Sequence, residues 1–179
     1  MTTERGRVVV GVSGSLASLA ALRRGVLEAR RDGRTLVAVV AWEPPEGEIL
    51  YAKQPDPSWA RMWEDEARQR LGLAFDEALG GVPADLRVVQ RVVRGKPESA
   101  LRTIAHRPND LLVVGVSRGV GLRAWIHRSP VRRLVQAKAD CPVLTVPGPH
   151  LLPSEARTLR RVEYPEFTSQ AAGRDQAAA

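Results

Sequence analysis

Arg7-Val8-Val9-Val10-Gly11-Val12-Ser13-Gly14-Ser15 is a short β-branched run, broken by glycine and closed by a serine-rich turn. Valine packs well on a pleated surface, so such a run reads as a buried strand. Ser15 then suits a helix N-cap, because its hydroxyl can accept a bond from an unpaired amide of the first turn. Beyond it Leu19, Leu22, Val26 and Ala29 recur at helical spacing, and Asp32-Gly33 ends the segment. The unit is strand, tight turn, helix.

The same alternation continues along the chain. Thr35 to Trp42 is a second apolar strand, and Glu43 to Pro57, with four prolines, reads as a loop. Ser58 to Leu79 has helical spacing, with Trp59, Trp63, Ala67, Leu71 and Ala74 on one face and Gly80-Gly81 as the stop. Leu86 to Val93 is a third strand, and Gln90-Arg91 within it suggests an edge. Pro97 suits the first turn of a helix whose inner face is Leu101, Ile104 and Ala105. Asp110-Leu111-Leu112-Val113-Val114-Gly115 is the fourth strand, Pro130 to Ala139 a further helix, and Pro142 to Val146 the fifth strand. Short apolar strands alternating with helices predict a parallel five-stranded sheet, covered on both faces in three α/β/α layers with right-handed crossovers. After Pro147 the pattern stops. The expected division is a domain over residues 1–148 and a C-terminal extension over 149–179, loosely held towards its low-complexity end.

Composition narrows the function. At 179 residues and 44% hydrophobic the chain suits one globular domain. No apolar run reaches the roughly 20 residues that cross a bilayer, and Met1 to Gly6 lacks a secretory pattern, so no membrane and a cytoplasmic location are expected. The net charge of +7 is carried almost wholly by arginine, lysine appearing only at Lys53, Lys96 and Lys138. With abundant alanine, glycine, valine and proline, this is the composition of GC-rich codons. The basic residues are scattered and few aromatics lie among them to stack bases, so nucleic acid is not an expected partner.

Cys141 is the lone cysteine, at the mouth of an apolar strand, where a packing role comes before a reactive thiol. His106, His127 and His150 have no metal-ligand spacing with one another or with Cys141, so no metal is expected. His106 suits a carbonyl cap at the end of its helix. No serine has an evident histidine and carboxylate to activate it. The reading is a protein that binds rather than an enzyme.

The opening Val8 to Ser18, with Ala20-Ala21-Leu22 after it, resembles that of universal stress proteins, in which an apolar strand leads through Asp-Gly-Ser into the first helix. Val93-Arg94-Gly95-Lys96-Pro97 resembles the glycine-then-proline start of that family's third helix. Asp110 to Gly115 and Cys141 to Val146 resemble its fourth and last strands. The landmarks span residues 7 to 147 in order. The resemblance, UspA-like, implies sheet order 3-2-1-4-5 in an adenine nucleotide α-hydrolase-like fold. It also implies a homodimer, often joined through the last strand (here Val143, Leu144, Thr145 and Val146), and a role in stress response.

Members of the family that hold ATP carry glycine, two residues, glycine, nine residues, glycine, then serine or threonine. Bare backbone amides approach phosphate closely there. Gly115 takes the first place and Ser129 the last, followed by Pro130. Arg118 stands at the second glycine, with Ser117 before it and Gly119 one residue late, and Arg128 stands at the third. Ser13 occupies the place of an adenine-contacting aspartate. With the family's strand order, Gly11, Val12 and Ser13 lie beside Gly115 to Gly119, and Ala41 forms a wall against an adenine. Two readings stay open: Arg118 and Arg128 bind ATP or ADP phosphates by charge-assisted bonds, or their bulk fills the cradle. Three departures outweigh one preserved spacing, so tight ATP binding is not expected and no cofactor is assigned. Arg123, His127, Arg132 and Arg133 extend either a solvated basic face or an anion site. A protein that docks acidic partners through its basic surface is the rival of another class.

Overall fold

The computed structural model describes residues 6–116 and 139–149. The chain divides into two compact units after Gly148, and the sheet belongs to the first. Among the described residues nine elements follow in order: β1 (Val8–Gly11), α1 (Leu16–Asp32), β2 (Leu36–Trp42), α2 (Glu48–Tyr51), α3 (Pro57–Leu79), β3 (Val88–Arg94), α4 (Pro97–Ile104), β4 (Leu111–Val116) and β5 (Val143–Pro147). The five strands form one parallel sheet in the order β3-β2-β1-β4-β5. This is the order that the resemblance implied.

Alternation along the strands sorts the core into two layers. Val8, Val10, Leu36, Ala38, Val40 and Val113 face α1 and α3, where Leu22, Val26, Leu71 and Phe75 complete a buried cluster. Val9, Val37, Val39, Leu112 and Val114 face the other way, onto Leu101 of α4, onto its C-cap residue Ala105 and onto Cys141. A sheet buried on both sides needs apolar residues at successive positions, which is why these strands are nearly unbroken valine and leucine.

The helices begin and end as their sequences dictate. Ser15 caps α1 by accepting the Ser18 amide, and Gly33 closes it in the left-handed region at φ 61°. Asp56 caps α3 by accepting the Ser58 amide, and Gly80 ends it at φ 74°. Pro97 sits in the first turn of α4.

Two expectations need correction. The 43–57 segment is not wholly loop, since Glu48–Tyr51 makes a single helical turn tied by the Tyr51 hydroxyl donating to the Asp56 carbonyl at 2.6 Å. Trp59 does not share the burial of its stripe: Trp63, Ala67, Leu71 and Ala74 are buried, while Trp59 is 54% exposed and only rests its ring on Trp63. It lies in the first turn of α3. The helix expected over Pro130 to Ala139 lies, but for Ala139, outside the described residues, as does the extension beyond Pro149.

Candidate functional site

Parallel pairing of Val8 with Leu111, Val9 with Leu112 and Val10 with Val113 makes β1 and β4 neighbours whose C-terminal ends emerge side by side. On its other side β1 pairs with β2, so the chain leaving β1 turns to α1 at the point where strand order reverses. Ligand crevices of open parallel sheets lie beyond the strand ends at such a point.

At that end, Gly11 pairs with Val39 and the Val12 amide donates to the Val39 carbonyl at 2.8 Å. Ala41 lies two residues further along β2, half-buried on the α4 face with Val39. Ser13 is exposed, its hydroxyl 3.0 Å from that of Ser15. Gly14 turns the chain at φ 80°, a conformation that glycine adopts without strain. Behind the turn, α1 presents its N-terminus with no acidic residue in the first turn, leaving its positive partial charge unmatched from within the helix. Residues 11–15 carry no side chain that titrates near neutrality. They supply hydroxyls and backbone amides, which suit holding an oxygen-rich ligand rather than moving protons.

The two strand-end glycines also have packing roles. A Cβ on Gly11 would meet Leu101 of α4 at 3.0 Å, and one on Gly115 would fall 2.2 Å from the Ala17 carbonyl oxygen of α1. The absent side chain of Gly115 thus lets the first turn of α1 lie directly on β4. Gly11, Val12, Ser13, Ala41 and Gly115 are gathered at one end of the sheet, while Ser117, Arg118, Gly119, Arg128, Ser129 and Pro130 lie outside the described residues. Among the described residues, no group of three or more His, Cys, Asp or Glu side chains is placed to hold a metal.

At the opposite end an ion pair of a buried aspartate with a partly exposed arginine holds the same two strands together, and the sequence reading did not single it out. Asp110, just before β4, accepts from the Arg7 amide at 2.9 Å, from Arg7 Nε at 3.1 Å and from Arg7 Nη2 at 2.6 Å. Arg7 Nη2 also donates to the Ile104 carbonyl at 2.7 Å. Burial opposes ionisation of Asp110, but the Arg7 bonds and charge and the Arg107 amide outweigh it and hold the carboxyl below its ordinary range. Oppositely charged residues flanking two apolar runs were the available signal, usable only once the runs are known to be adjacent. Cys141 is buried, and burial first, with the Asp110 charge, pushes its thiol up, away from the reactive thiolate. His106 Nδ1 lies 3.0 Å from the Thr103 carbonyl, the carbonyl contact expected of it.

Strand order and connections together define an open parallel α/β protein. Residues 4–147 match the universal stress protein family, and the chain belongs to that family. No curated protein sequence matches it significantly. Among solved structures, the hypothetical protein MJ0577 shares 15% identity at TM-score 0.61, covering 82% of this chain and 99% of its own. The hypothetical protein PH0823 shares 18% at TM-score 0.51, covering 82% and 99%. A universal stress protein in complex with cAMP shares 23% at TM-score 0.49, covering 81% and 98%. No described helix is long and apolar enough to cross a membrane.

Proposed function

We propose that the chain is a dimeric, non-enzymatic binding and regulatory module of the stress response, whose adenine-nucleotide crevice binds weakly. The observation that carries the reading is the adjacency of β1 and β4, which brings Gly11 to Ser15 beside Gly115 at the strand ends. That supports a crevice of the family's kind. Weak binding follows from the residue types that the sequence carries at the motif positions of the family's ATP-holding members. Ser13 offers a neutral hydroxyl, already within bonding distance of Ser15, where the family's ATP-holding members place a carboxylate for the adenine. Arginine at 118 and 128 replaces two glycines whose bare amides would otherwise approach phosphate. Membership of the family supports a stress role.

Calorimetric titration of the full chain with ATP, ADP and cAMP tests the crevice. Dissociation constants on the order of millimolar or weaker are expected. Micromolar ATP binding that Arg128→Glu abolishes in a folded variant would overturn the weak-crevice reading in favour of arginine-assisted phosphate binding.

A further inference from the structure

A second concavity, of about 660 Å³, lies on the α4 face over β2 and β3. Register explains its chemistry. Val37 pairs with Val89, Val39 with Arg91 and Ala41 with Val93, so Val89, Arg91 and Val93 share one face of β3. Helix α4 packs chiefly on β2 and β1, which leaves this face of the edge strand half-covered. Val37, Val89, Val93 and Ile104 supply an apolar floor and wall.

The rim is basic. Five of the described lining residues are arginine or histidine and none of them is acidic. Arg7 is already matched by Asp110. Arg87 and Arg91 make no ion pair or side-chain hydrogen bond with a described residue, whereas Arg30 pairs with Asp85, Arg94 with Glu48 and Arg68 with Glu64. These two arginines flank Val89 along the strand, about 13 Å apart at roughly 3.3 Å per residue. Guanidinium groups beside an apolar floor recognise oxyanions attached to an apolar body. The volume falls within the range of small-molecule pockets.

We propose that this groove is a second binding site, for a small organic anion that lays an apolar body over Val89 and Val93 and directs a phosphate or carboxylate to Arg87 and Arg91. It is independent of the strand-end crevice and of whether that crevice holds nucleotide.

The test uses 1-naphthyl phosphate as probe, with 1-naphthoate, inorganic phosphate and 2-naphthol as comparisons, on the full chain at physiological salt. Saturable 1-naphthyl phosphate binding is expected, weakened about tenfold or more in Arg87→Ala/Arg91→Ala, since charge-assisted bonds are the stronger kind. Both arginine side chains are exposed, and circular dichroism checks that the double variant remains folded. ATP should not displace the probe, which separates this site from the crevice. Inorganic phosphate and 2-naphthol, each lacking half of the required chemistry, should bind more weakly; the stronger of 1-naphthyl phosphate and 1-naphthoate identifies the head group. Displacement by ATP, unchanged binding in the double variant, equal binding of inorganic phosphate, or no saturation of either naphthyl anion would each overturn the proposal.

Discussion

The Cγ2 methyl of Val10 in β1 occupies the space where a side chain on Gly25 of α1 would begin, 2.3 Å from an ideal Cβ. Alanine normally gains about 1 kcal/mol over glycine inside a helix. Overpacking a close-packed core costs about 1–3 kcal/mol, and Val10 is itself buried and stiff at χ1. Gly25→Ala should therefore destabilise by about 1 kcal/mol, read as a lower urea midpoint. Gly72 in α3 has nothing within 4 Å of its Cβ position, so Gly72→Ala should stabilise by about 0.5–1 kcal/mol in the same assay. At Asp110 the loss is larger. Removing one partner of a buried pair costs about 3–5 kcal/mol, and Asp110→Asn should fall near the lower figure because Arg7 is partly exposed. The pH dependence follows from the depressed Asp110 carboxyl. Its stabilisation is fully present above the unfolded aspartate pKa, about 3.9, and is lost as pH falls through the lower folded value. Acid denaturation should steepen below about pH 4, less so in Asp110→Asn. Sequence showed Gly115 as the glycine closing the fourth strand and Ser15 as a cap, because both are local requirements. It did not show that Gly115 bears on the Ala17 carbonyl or that Asp110 meets Arg7, since each depends on contacts between segments remote in the chain.

Among the elements, α2 illustrates what periodicity misses. One turn of four residues is too short to display a repeat, and Gly47 precedes it at φ 86°. Its anchorage is tertiary: Arg94 at the end of β3 forms a two-bond fork to Glu48 at 2.8 Å and lies over the rings of Tyr51 and Trp42 at 4.6 and 5.4 Å. Arg94→Ala should release the turn, and hydrogen exchange should accelerate at the Tyr51 and Ala52 amides, which bond to Gly47 and Glu48. Exchange within β1 should be unchanged. Equal acceleration in both places would show that Arg94 supports the whole unit rather than α2. Strand β3 was more legible, because polar Gln90 and Arg91 within an apolar run mark an edge, and the edge is where it lies.

For the whole molecule, β5 pairs with β4 on one side and no described strand on the other. Unpaired edges of apolar strands recruit partners, which supports the proposed dimer through Val143 to Val146. Light scattering at tens of micromolar should give twice the protomer mass, and Thr145→Glu, at an exposed position, should return it to one by bringing like charges together. A monomeric parent chain, or a dimer indifferent to this charge, would refute it. The parallel alternation was readable from the strands alone, and strand order came from family likeness, because apolar runs do not reveal their neighbours. That order has a consequence for synthesis. β1 is made first but sits between β2 and β4, and Arg7 meets Asp110 across 103 residues. At about 5–20 residues per second, the nascent chain exposes one flank of β1 for roughly 5–20 s before β4 emerges. During that interval the half-built sheet offers a sticky template to ribosome-associated chaperones or to neighbouring nascent chains.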